Sequence, residues 1–264
     1  MKKIVYILIC LSFFSSCKIQ QEKSINLKIM SYNIRHGEGL DTILDLSRSA
    51  KIIKSQLPDL CGLQEVDNFC MRSDSTGQID YLAHNTNMTG TFGKFMNFQG
   101  GEYGMATLSR KPLLTTKVLQ LPNSKFEPRA SIVHEVQIAE DCDIVFANVH
   151  FEWNIGKEAS YIRLSQAKVL IDYIDTLKKA TIITGDFNCT PESPTMQYFT
   201  EQGFVFVQKG ENNLSYQGGY KAEIDHVIYR NADNVKFKKK SVQLLKEPIA
   251  SDHFPLIVEL EVIY

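Results

Sequence analysis

The sequence predicts an α/β protein of the α+β kind, with two packed, mainly antiparallel sheets flanked by helices. Many short apolar segments follow one another along the 264 residues, and Gly, Pro, Asn and Asp separate them. Two longer segments carry apolar residues at helical spacing. Because most neighbouring strands have no helix between them, a doubly wound parallel sheet fits less well.

The N-terminus has the pattern of a secretory signal. Lys2 and Lys3 precede an apolar run over 4–14, which is too short to span a membrane, and small residues follow. The ending Phe-Ser-Ser-Cys resembles a bacterial lipobox, in which Cys17 is acylated. We therefore expect a signal peptide over 1–16, a tether over 17–25 and one domain over 26–264, exported and membrane-anchored through its lipid. The alternative is a buried N-terminal helix or strand.

The first part of the domain contains a strand, a helix and a second strand. Apolar residues at helical spacing predict an amphipathic helix over 42–56, ending before Pro58. Gly, Asn, Thr and Ser are frequent over 67–102, which we interpret as a loop-heavy insertion that shapes specificity. The two predicted strands cover 26–32 and 59–65.

Strands then follow in quick succession, with a second amphipathic helix over 160–177 and a short helix over 193–202. The remaining predicted strands are 105–109, 113–121, 130–138, 143–150, 181–184, 205–208, 224–229, 241–245 and 256–262.

The charge balance does not favour a protein that binds duplex DNA without sequence specificity. Lys and Arg number 29 and Asp and Glu 30, giving a net charge of −1, and loss of Lys2 and Lys3 with the signal makes it more negative. A nucleic-acid-binding domain usually has a basic surplus. The one basic run, 236–240, is typical of a solvated strand edge. Nucleic acid is therefore a partner that the sequence permits but does not favour.

Four cysteines remain once Cys10 and Cys17 are set aside, and their spacings match no zinc motif. An exported protein permits disulfides, so Cys61–Cys70 is one pairing that the sequence allows. Buried free thiols are the alternative for Cys61, Cys70, Cys142 and Cys189.

Polar residues recur where apolar strands end. A sheet delivers side chains at its strand ends to one rim, so these residues are expected to converge. Taken singly, each also has a structural explanation, such as an Asx turn or a satisfied histidine. The residues are Asn33, Glu65, His150, Asp186, Asn188, Asp225, His226, Asp252 and His253.

Seven segments in this order resemble the endonuclease/exonuclease/phosphatase superfamily of metal-dependent phosphoesterases. They are Met-Ser-Tyr-Asn-Ile at 30–34, Leu-Gln-Glu-Val at 63–66, Tyr-Gly-Met-Ala-Thr-Leu-Ser-Arg at 103–110, Asn-Val-His at 148–150, Thr-Gly-Asp-Phe-Asn at 184–188, Ile-Asp-His at 224–226 and Ser-Asp-His-Phe-Pro at 251–255. The combination of Gly-Asp-Phe-Asn with a later Ser-Asp-His is specific, whereas Gln-Glu alone is weak. The resemblance implies a four-layer α/β sandwich with the site on one rim.

The resemblance also implies roles for these residues. Glu65 is the expected ligand of Mg²⁺ (or Mn²⁺), with Asn33 and Asp252 beside or within the metal shell, and oxygen ligands suit this ion. Arg129 is similar to a phosphate-contacting arginine, and a surface arginine is the alternative reading.

The remaining implied roles concern protons and the phosphate. Asp186 is expected to accept a proton from water or to orient it, and Asn188 to hold that water or a phosphate oxygen. His253, oriented by Asp225, is expected to contact the phosphate, because a neighbouring carboxylate favours the imidazolium. His150 would bind phosphate or assist the leaving oxygen.

The resulting hypothesis is a monomeric, lipid-anchored hydrolase of phosphate esters outside the cytoplasm, with diesters favoured. Candidate substrates are phospholipid or sphingolipid head groups, nucleic acid and inositol phosphates. Phe151 and Trp153 are either a substrate wall or part of the core. The alternatives are a non-catalytic binding lipoprotein on the same fold and a DNA endonuclease or exonuclease whose N-terminus is misread.

Overall fold

The structure is a computed structural model that describes residues 22–123, 127–211 and 213–264. The predicted signal peptide and Cys17 lie outside the described residues. Among the residues that the structure describes, no helix is both long and apolar enough to span a bilayer.

The described residues form twelve strands and four α-helices. The strands are β1 (Ser24–Asn33), β2 (Leu60–Asn68), β3 (Thr89–Phe98), β4 (Gly101–Ser109), β5 (Leu113–Leu121), β6 (Arg129–Ala139), β7 (Cys142–His150), β8 (Thr181–Asp186), β9 (Val205–Phe206), β10 (Asp225–Arg230), β11 (Lys236–Leu244) and β12 (Leu256–Ile263). The helices are α1 (Leu46–Gln56), α2 (Gln78–Thr86), α3 (Lys157–Leu177) and α4 (Pro194–Glu201).

The strands form two six-stranded sheets, which confirms the predicted fold. The first sheet has the order β11-β12-β1-β2-β4-β3, and the second has the order β5-β6-β7-β8-β10-β9. In each sheet one pair is parallel, β1 with β2 and β7 with β8, and the other pairs are antiparallel. With helices outside both sheets, the architecture is a four-layer α/β sandwich.

The core lies between the two sheets. Leu27 and Ile29 of β1 pack in one apolar cluster with Phe146 of β7 and Ile182 of β8, and all four are fully buried. The alternating outward faces of these strands are covered by α1 and α2 on one side and by α3 and α4 on the other. Burial of apolar surface on both faces explains why β7 and β8 read as continuous apolar runs.

The predicted helix starts shift by a few residues for local reasons. The helix expected over 42–56 begins at Leu46, because Asp45 caps it by accepting a hydrogen bond from the Ser47 amide at 3.0 Å. It ends at Gln56, where Leu57 takes a left-handed conformation before Pro58. The first strand begins at Ser24, two residues earlier than predicted.

The prediction of a loop-heavy segment over 67–102 is wrong. This segment contains α2, all of β3 and the start of β4. Gly90, Gly93 and Gly101 of this segment lie in strands, and a Cβ added at Gly104 of β4 would lie 2.1 Å from the Gly93 carbonyl oxygen, so the two strands approach closely there. Because β3 is an edge strand, its outward residues need not be apolar, and period-2 alternation is weak.

Two further expectations can be compared with the structure. The basic run lies on β11, an edge strand where Lys238, Lys239 and Lys240 are exposed and Phe237 is buried, as predicted for a solvated edge. Cys61 and Cys70 are free and buried, as are the other two described cysteines, so the disulfide alternative does not hold.

Candidate active site

The two parallel strand pairs deliver polar residues to one rim of the sandwich. Asn33 ends β1, and its backbone is in register with Gln64 of β2, one residue before Glu65. His150 ends β7 directly opposite Asp186, the last residue of β8. The carboxyl ends of parallel strands lie at the same edge, so each sheet contributes side chains to this rim.

Glu65 is aimed by a break in the regular ladder. The β2–β4 register shifts between Gln64 and Val66, and Glu65 itself has a φ of 55°. Its Oε1 accepts a hydrogen bond from the Asn33 side-chain amide at 3.0 Å. Burial and the charge of Asp252 raise the pKa of Glu65. A bulge that re-aims a side chain in this way is common beside active sites.

The Asn33 side chain connects the two sheets. Its amide nitrogen lies 3.0 Å from Glu65 Oε1 and 3.3 Å from Asp186 Oδ2. Its oxygen accepts a hydrogen bond from the Arg35 backbone amide. In this orientation Asn33 positions two carboxylates through its nitrogen.

His253 and Asp225 form a buried ion pair. The Nδ1 atom of His253 lies 2.8 Å from Asp225 Oδ2, and its Nε2 atom lies 3.7 Å from Asp186 Oδ2. Burial lowers the pKa of His253, but the charges of Asp225 and Asp186 outweigh it and raise the pKa to about 10. The ring is therefore an imidazolium at neutral pH.

His150 approaches the same Asp186 oxygen as His253 does, but its ring is neutral at neutral pH. Its Nε2 atom is 3.6 Å from Asp186 Oδ2, while its Nδ1 atom is 3.3 Å from Arg129 Nη1. Burial and the positive charge of Arg129 hold the pKa of His150 well below its ordinary value. Arg129 is buried and pairs with Glu127 at 2.7 Å, so it is not a surface arginine.

Asp186 stands between these groups. Burial and the charge of Asp225 raise its pKa to about 7. Its Oδ1 accepts a hydrogen bond from the Asn188 backbone amide at 2.9 Å, and the Asn188 side chain donates to the Phe151 carbonyl oxygen at 3.1 Å. These bonds fix the turn that follows β8.

A cavity of about 420 Å³ opens over this cluster. Asn33 and Asp225 lie behind its wall. The predicted residues that line it are Glu65, Arg129, His150, Asp186, Asn188, Asp252 and His253. His226, the neighbour of Asp225, points elsewhere: it is buried, and its Nε2 lies 2.8 Å from the Cys189 carbonyl oxygen.

Sequence reasoning missed several residues of the cavity wall. Arg72 and Phe98 come from the segment interpreted as loop, and Tyr216 and Tyr220 from the connection before β10. Tyr103 begins the Tyr-Gly-Met-Ala segment, where no role was assigned to it. A paired strand prediction for 89–109 would have placed Phe98 and Tyr103 near Glu65. Of the two aromatic residues considered for the wall, Trp153 lines the cavity and is 52% exposed, whereas Phe151 is fully buried in the core.

The donor set suits a divalent cation. Asp186, Asp225 and His253 each place a nitrogen or oxygen atom within 4.8 Å of the other two, and the two carboxylates are the ligands of this group, because an imidazolium has no free lone pair. Asp225 Oδ1 is buried and has no hydrogen-bond partner among the described residues, and Glu65 shares its buried surroundings with the charge of Asp252. Buried like charges of this kind are stabilised by a cation that takes oxygen ligands.

Solved structures with this fold come from several organisms. The chain is 20% identical to an endonuclease/exonuclease/phosphatase family protein of Bacteroides thetaiotaomicron (TM-score 0.72), covering 90% of this chain and 96% of that one. It is 20% identical to the mannosyl-6-phosphatase of the same species (TM-score 0.67; 89% and 99% covered) and 18% identical to the human Nocturnin catalytic domain with bound sulfate (TM-score 0.72; 91% and 97%).

At these identities the structures establish the fold alone. A comparison with curated proteins gives no match. The model of the family described as "Endonuclease/Exonuclease/phosphatase family" matches residues 30–253, which include every site residue discussed above. The chain therefore belongs to the endonuclease/exonuclease/phosphatase family, whose members are phosphoesterases.

Proposed function

We propose that this protein hydrolyses phosphate esters with the help of Mg²⁺ or Mn²⁺. The observation that carries the proposal is the convergence of Glu65, His150, Asp186 and His253 on one cavity, with Asp225 paired to His253 behind its wall, although these residues lie far apart in the sequence. Glu65 and Asp252 would hold the cation, with Asn33 fixing the Glu65 carboxylate. A bound divalent cation would neutralise phosphate charge in the transition state.

Asp186 and His150 of the second sheet, with His253 from the segment before β12, would supply the proton chemistry. Asp186, whose pKa of about 7 suits exchange with water near neutral pH, would orient or deprotonate the attacking water. His253 would donate to a phosphate oxygen as an imidazolium that Asp225 stabilises. His150, kept neutral beside Arg129, would contact another phosphate or leaving-group oxygen.

We favour a diester over a small monoester as the substrate. The reacting groups lie on its floor, while Trp153 and Tyr220 are half-exposed on its wall. Such a wall offers apolar contact to an ester substituent on the phosphate. We therefore favour phosphodiester hydrolysis, and the matched substrates below test this preference.

We further propose that the lipid anchor on Cys17 directs the site away from the anchoring membrane. β1 begins at Ser24, near the predicted anchor, and its tenth residue, Asn33, lies in the site. Ten residues of strand extend about 30 Å. The six steps from Cys17 to Lys23 span at most about 20 Å, so a domain that stands upright on this tether would hold the site rim on the side farther from the bilayer. Substrates that diffuse to the protein are thus favoured over lipids of that membrane.

A substrate panel tests the catalytic proposal. Matched pairs of p-nitrophenyl monoesters and diesters, sphingomyelin, an oligonucleotide and inositol phosphates are incubated with Mg²⁺, Mn²⁺ or EDTA. We expect turnover that EDTA abolishes and that Glu65→Gln reduces by about two orders of magnitude or more. Glu201→Gln, an exposed change on α4, is the matched control.

The outcomes separate the candidate functions. Near-normal turnover by Glu65→Gln would contradict the cation site. Binding of phosphate esters with no turnover in either metal would favour a non-catalytic binding protein. Mass spectrometry of the N-terminal peptide tests the anchor, because an unmodified Cys17 in cells that acylate other lipoproteins would remove it.

A further inference from the structure

The cavity wall contains an arginine that the proposed reaction does not use. Of the described residues that line the cavity, Arg72 and Arg129 are the two arginines. Arg129 is buried and its guanidinium contacts Glu127 and His150. Arg72 stands on the segment between β2 and α2 and remains 27% exposed.

Arg72 is held rigidly from one side. Its Nε and Nη2 atoms each donate to the Asp67 carboxylate at 2.8 Å, and the Asp67 side chain is fully buried. The guanidinium also lies over the rings of Phe98 and Tyr103, at 4.6 and 5.1 Å. A guanidinium fixed in plane and direction loses little entropy when it binds a ligand.

The remaining nitrogen of Arg72 is free to bind a ligand. The described residues give Nη1 no hydrogen bond, although the other two nitrogens are occupied. If Arg72 only stabilised the turn over 68–73, its two hydrogen bonds to the Asp67 carboxylate would be sufficient. Arg72 lines the cavity, and Asp67 pairs with two of its three nitrogens, so the third keeps donor capacity for an anionic group that enters the cavity.

We propose that Arg72 binds a second anionic group of the substrate, a phosphate or carboxylate on the part of the molecule that is not cleaved. This inference rests on the proposed function, because it assumes that the ester to be cleaved lies at His253 and Asp186. The inference restricts the substrates to esters with at least two anionic groups. A spacer would connect the group that is cleaved to the group at Arg72, passing along the cavity wall at Tyr103.

Binding of bisphosphate probes tests the inference without requiring turnover. The monophosphates and bisphosphates of propane-1,3-diol, hexane-1,6-diol and octane-1,8-diol are titrated calorimetrically into the full chain, with Mg²⁺ in excess. We expect at least one bisphosphate to bind about tenfold more tightly than its monophosphate, since a hydrogen bond to a charged group contributes this much.

Variants assign the preference to Arg72. Arg72→Met alone leaves the buried Asp67 charge unpaired, so the double variant Asp67→Asn/Arg72→Met is the decisive one. It should bind monophosphates as the wild type does and lose the preference for bisphosphates. Arg72→Lys should keep part of it, because the charge remains without the fork. Arg110→Met, an exposed change outside the cavity, should keep all of it.

Two results would overturn the inference: equal affinity for every matched pair in the wild type, or a preference that persists in the folded double variant. Its failure is distinct from failure of the proposed function. A protein that hydrolyses esters but does not distinguish the pairs refutes the Arg72 subsite alone, whereas bisphosphate preference without hydrolysis refutes the reaction alone.

Discussion

In both sheets a parallel strand pair ends at the rim that holds the site, but the side chains that the two sheets place there differ in their chemistry. In the second sheet the parallel pair ends regularly, with His150 opposite Asp186. In the first sheet the parallel pair is followed by a register shift, and Glu65 projects from backbone with a φ of 55°. Under the proposed function, the second sheet would supply groups that move protons, and the first a carboxylate that holds the cation.

Electrostatic surroundings sharpen this difference. The charged groups of the second sheet have partners of opposite charge or a polar network, such as Asp225 with His253 at 2.8 Å. The described residues give Glu65 the Asn33 amide, and the nearby charge of Asp252 is of the same sign. Removing the charge of Asp225 should therefore destabilise the folded protein, whereas removing the charge of Glu65 should stabilise it.

The largest effect is expected from Asp186→Asn. The amide keeps the shape of the side chain but cannot accept a proton from water, so kcat should fall about 10³- to 10⁴-fold. The melting temperature should not fall, because burial already raises the pKa of Asp186 to about 7 and disfavours its charge. Steady-state kinetics and thermal melts check both, with the exposed Asp172→Asn as control. Retained kcat would assign the water to another group.

The next largest effect is expected from Asp225→Asn. Without this carboxylate the His253 ring loses the charge that favours its imidazolium, and kcat should fall about 10²- to 10³-fold at pH 7. Part of the kcat of this variant should be recovered as the pH is lowered and His253 becomes protonated. A pH–rate profile with the same slope as that of the wild type would contradict this role.

Much of the site could be predicted because each residue stands where an apolar segment ends. Asn33, His150 and Asp186 follow apolar runs, and this composition predicts that the runs are buried strands. The ends of these strands meet at one rim of the sandwich. The direction of the Asn33 amide could not be predicted, because it depends on the distance between Glu65 and Asp186 across the two sheets.

Arg72 shows where sequence reasoning fails. Its partners Phe98 and Tyr103 lie on β3 and β4, whose pairing depends on close contact at Gly93 and Gly104 rather than on apolar alternation. For this reason the glycine-containing segment over 67–102 is interpreted from sequence as a loop, although it forms strands. Composition identifies buried central strands well, but an edge strand has one side in solvent and carries a weaker signal.

The third prediction concerns stability against pH. Because the pKa of His253 is raised to about 10 in the folded protein, against an ordinary value near 6.5, its stabilising effect is complete below pH 6.5 and is lost as pH rises toward 10. Asp225, Asp186 and Asp252 are the charges that favour its proton. In EDTA, the free energy of unfolding should fall between pH 6.5 and 8.5, and Asp225→Asn should flatten this slope. Parallel slopes in urea titrations would contradict the ion pair.

The smallest effect isolates the Glu65 bulge. Glu65→Gln removes the buried charge beside Asp252 but keeps a residue poorly suited to a φ of 55°. Glu65→Asn also removes the charge, and asparagine adopts the left-handed region more readily than glutamine does. The free energy of unfolding of Glu65→Asn should therefore be about 1 kcal/mol higher than that of Glu65→Gln. Urea denaturation in EDTA measures the difference, and both variants should be inactive. If Asn were no more stable than Gln, the backbone at Glu65 would hold no strain, and the contrast between the two sheets would reduce to charge alone.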